Sequence, residues 1–143
     1  MKAEEYLLEY ARLLAAQKRL RREIESIEAR LGGSVRNDGM PHGSGVSDLT
    51  GTLAAELADT KAAYEYAEYE AWMKRREIVG MINRISEPLK SKLLYDRYIL
   101  MMRWYKVAAD IHADESYTRG RLHDAALMAL EQLLEEDEQN END

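Results

Sequence analysis

The sequence predicts an all-α protein, an N-terminal antiparallel coiled-coil hairpin followed by a C-terminal helix-turn-helix module of three helices. Three observations predict it. Only 2 prolines and 8 glycines interrupt 143 residues, and the glycines concentrate between Gly32 and Gly45, so most of the chain has no helix breaker. Charged residues make up 33% against 45% hydrophobic, and the dominance of Leu, Ala, Glu, Lys and Arg is that of long amphipathic helices. Finally, apolar residues recur at alternating steps of three and four along two long stretches.

The first stretch places Ala3, Tyr6, Tyr10, Leu13, Gln17, Leu20, Ile24, Ile27 and Leu31 on successive a and d positions of a heptad, which predicts a helix over about 2–31. Gly32 and Gly33 are expected to stop it, glycine being favoured just past a helix C-cap. Residues 32–47 then read as a loop. A second heptad follows in Leu53, Leu57, Thr60, Tyr64, Ala67, Ala71, Lys74, Ile78, Met81 and Ile85, predicting a helix over about 48–86 with Asp48 as its cap. Its small middle (Ala67, Ala71) suits the bulkier middle of the first helix if the two run antiparallel. Ser86-Glu87-Pro88 marks the next boundary, with Ser86 capping the helix that Pro88 opens. That third helix, to about Met102, offers Leu89, Leu93, Leu94, Tyr98 and Leu100. A short amphipathic piece from Trp104 to His112 follows. Asp114 is the expected N-cap of a last helix, Glu115 to Leu134, facing inward through Thr118, Leu122, Ala125, Ala126, Ala129 and Leu133. The expected organisation is a hairpin at 1–86, a helix-turn-helix module at 87–134 and a disordered acidic tail at 135–143.

Charge and composition exclude several classes. The net charge is -7, but six acids lie in the last nine residues, and the rest holds 20 basic and 21 acidic side chains. The part expected to fold is therefore near neutral and is compatible with a nucleic-acid partner. The absence of cysteine removes disulfides and thiol chemistry. His42, His112 and His123 lack metal-ligand spacing, so no metal and no cofactor is expected. No apolar run approaches the ~20 residues of a membrane span, and Met1-Lys2-Ala3-Glu4-Glu5 is unlike a targeting peptide. The expected location is a cytoplasm. Lys18, Arg19, Arg21 and Arg22 form a basic cluster, yet Glu23 and Glu25 lie four residues beyond Arg19 and Arg21, the spacing of a salt-bridged, solvated face. Neither a phosphate-cradling glycine loop nor a nucleophile elbow is present, and an enzyme is not expected.

The segment Trp104 to Leu130 has helix-turn-helix spacing. Ala108 is small where two helices would cross, Val107 and Ile111 flank it, and a short turn leads into a second apolar stripe. At 100° per residue, Ser116, Arg119, Gly120 and His123 share one face of the last helix. Arg119 suits a guanine edge or a phosphate, Ser116 a base or a phosphate, and Gly120 close approach, while Arg103, Lys106 and Arg121 suit the DNA backbone. Trp104-x-x-Val107-Ala108 with Arg121-Leu122-His123-x-x-Ala126-Leu127 resembles sigma-factor region 4. The chain up to about Leu134, including the string Met40 to Asp48 and the Arg97-Tyr98 pair, is similar to small phage and prophage proteins of Gram-positive bacteria, the RinA/ArpU-like late transcription regulators. Thr118 stands where that family carries an apolar residue, and the turn near His112 lacks a common glycine. The resemblance implies a DNA-binding transcription regulator, with promoter DNA, RNA polymerase or both as partners and a homodimer as an available state. The alternative is a protein-interaction module that uses the coiled coil and acidic surface, such as a phage-encoded inhibitor of a host nucleic-acid enzyme, with the helix-turn-helix as scaffold.

Overall fold

A computed structural model describes residues 2–35 and 44–143, and the protein is all-α: no strand occurs among them. Helix α1 is Lys2–Val35, α2 Ser44–Asn83, α3 Pro88–Leu94, α4 Trp104–Asp110, α5 Glu115–Tyr117 and α6 His123–Asn142. A π-helical turn, Tyr95–Ile99, continues α3, and another, Thr118–Leu122, joins α5 to α6. The chain divides into two compact units, one of Met1–Arg12 with Trp72–Asp143 and one of Leu13–Ala71. This differs from the expected division at residue 86.

The physical reason lies in the core of the larger unit. Ala3, Leu7 and Tyr10 from the start of α1 and Ile78, Met81, Ile82 and Ile85 from the end of α2 and just beyond it are buried in the same unit as Leu93, Leu94, Val107, Leu127 and Leu130. The backbone N–H of Ala3 donates to Glu131 at 2.7 Å, and Ser91 Oγ donates to the carbonyl of Ile82 at 3.1 Å. Both long helices thus give their ends to this core, so no composition break marks the boundary.

In the smaller unit, Ile27 and Leu53 are buried, while Leu20 and Ile24 are half-buried. Gln17 donates to the Tyr64 hydroxyl at 3.3 Å and Lys61 meets Glu28 at 3.6 Å. Every described residue of both expected seams is buried or half-buried. Lys74 occupies a seam position in the larger unit because its ammonium reaches Glu9 at 3.0 Å and Glu77 at 3.3 Å, and lies over the Tyr6 ring.

Several boundaries depart from expectation. Gly32 does not take a left-handed conformation, and α1 runs through the glycine pair to Val35; a glycine inside a helix costs only ~1 kcal/mol. α2 begins at Ser44, so Asp48 lies inside it, with its carbonyl accepting from Thr52 Oγ1. Residues 36–43 of the expected loop, and with them Met40 to Gly43 of the Met40 to Asp48 string, lie outside the described residues. The N-cap of α3 is Glu87, with no side-chain capping bond, and not Ser86. The acidic tail is the largest departure: 135–142 continue α6 as helix. Asp137 pairs with Arg84 at 2.8 Å and Glu138 with Lys2. A segment without apolar residues is helical here because it prolongs a docked helix and its acids meet two cations.

Candidate functional site

α4 opens at Trp104 after Arg103, whose backbone is extended, and the Arg103 carbonyl receives the N–H groups of Lys106 and Val107. Its far end is closed by a Schellman arrangement. The N–H of His112 bonds to the carbonyl of Ala109 at 3.3 Å, and that of Ala113 to the carbonyl of Ala108 at 3.0 Å. His112 itself sits in the left-handed region at φ 57°. That is the place where a glycine was missed in the sequence; the turn forms without it, at the conformational cost of a Cβ in that region.

Asp114 caps the next helix as expected, its Oδ2 accepting from the N–H of Tyr117 at 3.2 Å. Thr118 is wholly buried, and its Oγ1 donates to the Asp114 carbonyl at 2.7 Å. A threonine therefore serves where an apolar residue was anticipated: the methyl packs, and the hydroxyl is satisfied by the turn before it. Val107, Ala108, Ile111, Thr118 and Leu122 are all buried.

Around that core, Arg103, Lys106, Ser116, Arg119 and Arg121 are exposed. Gly120 is half-exposed, and a Cβ added there would meet nothing within 4 Å. Its small size therefore matters only toward a molecule outside the chain. Ser116, Arg119 and Gly120 thus stay accessible as the sequence suggested.

His123 does not. It is half-buried, its Nε2 lies 2.7 Å from the Tyr98 hydroxyl, its ring stacks with Tyr98 at 5.9 Å between centroids, and Trp104 meets it edge-on at 4.7 Å. Burial lowers its pKa below the ordinary imidazole value, with Glu4 and Asp124 opposing and Arg97 acting in the same direction, which favours the neutral ring that can accept from Tyr98 at Nε2. The reason for this correction is the π-helical turn Thr118–Leu122, which widens the helix just before His123 and rotates everything after it. The expected Ala126 stays buried, but the same rotation adds Leu127 and Leu130 to the inward stripe of α6 and leaves the expected Ala125, Ala129 and Leu133 half-buried. The turn Tyr95–Ile99 does likewise, burying Ile99 where Leu100 was expected.

Arg97 is a residue whose role the sequence did not disclose. Its guanidinium lies 4.6 Å from the Trp104 ring centroid and Nη1 donates to the Met102 carbonyl at 3.0 Å. Arg97, Trp104, Arg119 and His123, with Glu4 and Leu8 opposite, line an open cleft of about 480 Å³. Two guanidiniums against an aromatic wall suit an anionic, planar ligand better than a small neutral one. Among the described residues, no group of three or more His, Cys, Asp or Glu side chains is placed to hold a metal ion, and no helix is long and apolar enough to cross a membrane. No family model, no curated protein and no solved structure matches the chain.

Proposed function

We propose that the protein is a DNA-binding transcription regulator of the phage type, with α4 and the helix starting at Glu115 forming a helix-turn-helix. One observation carries this: two short helices joined by a Schellman turn bury a shared core through Val107, Ala108 and Thr118 while leaving Arg103, Lys106, Ser116, Arg119 and Arg121 exposed. Phosphate contacts by the arginines and lysine would position the module, and Arg119 with Ser116 would meet base edges. The resemblance to sigma-factor region 4 and to RinA/ArpU-like regulators favours promoter DNA together with RNA polymerase as the target. With a net charge of -7, long-range attraction to DNA is weak, so a second subunit or polymerase would supply the remaining affinity.

The test is fluorescence anisotropy or an electrophoretic shift with promoter DNA, with and without RNA polymerase. Arg119→Ala should weaken binding by ~1–3 kcal/mol while melting is unchanged, since its side chain is exposed. Lys106→Ala should weaken all sequences alike and reduce the salt dependence. If neither variant alters binding or transcription, the groove-reading assignment fails. A protein-interaction module then takes its place, for which the exposed Tyr66 and Tyr69 on α2 are the favouring observation.

A further inference from the structure

The π-helical turn that continues α3 carries a charged residue into the interior. Asp96 is 3% exposed, and its Oδ2 is buried without any hydrogen-bond donor. Its backbone carbonyl is engaged, accepting from the N–H of Met102 at 3.0 Å. The side chain that acts most strongly on the buried carboxyl is another acid, Asp110, the last residue of α4. Two carboxylates cannot satisfy one another, whereas a carboxylic acid donates to a carboxylate. Lys92 is the cation that bridges to Asp110: its Nζ lies 3.5 Å from Asp110 Oδ2 and donates to the Asp110 carbonyl at 3.3 Å. The ammonium thus holds Asp110 ionised and leaves the proton on Asp96.

We propose that Asp96 and Asp110 share one proton, and that this proton fastens the end of α4, making the turn at His112 a pH-sensitive joint. With the proton present, Asp96 donates to Asp110 and the buried oxygen is satisfied. Its loss leaves two anions side by side, one of them desolvated, with Lys92 as the counter-charge to both. The strain falls on Asp110, two residues before the left-handed His112.

The charges that act on the pair are consistent with that direction. Burial first, and then Asp110, push the Asp96 carboxyl well above the ordinary range, while Lys92 pulls it down. Asp110 is held below its ordinary range by Asp96, Lys92 and His112. Because the folded state grips the Asp96 proton more tightly than the unfolded chain does, this group's contribution is full below the ordinary carboxyl pKa. It is lost as pH rises through the folded value of about 6. Asp110 has the opposite sign and loses its contribution only under more acidic conditions.

The proton-sharing stands by itself; that the joint it fastens lies within a DNA-reading module rests on the helix-turn-helix assignment. In thermal melting of the full chain, the Tm of the unmodified protein relative to that of Asp96→Asn should be higher by ~3–8 °C at about pH 5 than at about pH 7.5. The opposite dependence of the half-buried His123 cancels in that difference. Asp96→Asn supplies a permanent amide donor to Asp110, so the gain at lower pH should vanish, leaving the opposite slope that the half-buried His123 gives, and its Tm should exceed the unmodified protein's at the higher pH. Lys92→Met should steepen the dependence. Hydrogen exchange should show the Ala113 amide losing protection with rising pH in the unmodified protein and not in Asp96→Asn. A carbon NMR titration of the unmodified protein gives a measure free of any substitution: an Asp96 carboxyl that titrates as an ordinary aspartate would overturn the proposal, as would an unchanged slope in Asp96→Asn. DNA affinity followed across the same pH range separates the two claims. If melting behaves as stated but no DNA binds at any pH, the DNA reading fails and the proton pair stands.

Discussion

Single residues set the quality of the turn between α4 and α5. His112 accepts the left-handed conformation at φ 57°, a region in which any Cβ is crowded. His112→Gly should therefore raise stability by ~0.5–1 kcal/mol in denaturant unfolding, and His112→Val should lower it, because β-branching worsens the clash. Thr118 makes the complementary point inside the core. Thr118→Val keeps the volume and gives up the bond to the Asp114 carbonyl, which still receives the Thr118 N–H at 2.9 Å. A change within ~1 kcal/mol in the same assay is the expected result; a much larger loss would mean that the hydroxyl has a second task.

At the scale of elements, caps and ends decide more than propensity. Asp114 satisfies an otherwise unpaired N–H at the start of α5, so Asp114→Ala should cost ~1 kcal/mol. In α1, Leu20 is only half-buried; Leu20→Ala should lower stability by ~1–2 kcal/mol. Leu130 on α6 is fully buried, and Leu130→Ala should cost ~2–5 kcal/mol, with a correspondingly larger fall in Tm. Shortening α6 at residue 135 removes the partners of Arg84 and Lys2. Circular dichroism should register the lost helix, and the Tm should fall slightly, more at low salt than at high salt, since these ion pairs are exposed.

Across the whole molecule, the two π-helical turns connect local chemistry to the arrangement of the larger unit. One carries Asp96 into the interior and the other carries Arg119 and Gly120 while turning His123 inward. Each adds about one residue to a turn and re-aims the side chains beyond it. Straight-helix geometry correctly groups Ser116, Arg119 and Gly120, which precede or lie within the second turn. It fails at His123, which follows it. A His123→Ala variant tests this directly: its loss should appear as reduced stability through the Tyr98 and Trp104 contacts, with little direct loss of base discrimination in a binding assay.

The sequence by itself determined the helical class, which positions of the two long helices are buried or half-buried, the Asp114 cap and the exposed Arg119, because each follows from spacing within one short segment. Periodicity and capping are local, and Ala3 to Leu31 or Leu53 to Ile85 carry them whichever way the chain is later folded. Only the tertiary structure decided that the ends of α1 and α2 join the C-terminal core, that the acidic tail is helical, and that Asp96 is buried beside Asp110. Each of these depends on residues distant in sequence: Ala3 with Glu131, Asp137 with Arg84, Asp110 with Asp96. The energy that holds them comes from burial and charge pairing that no window along the chain contains.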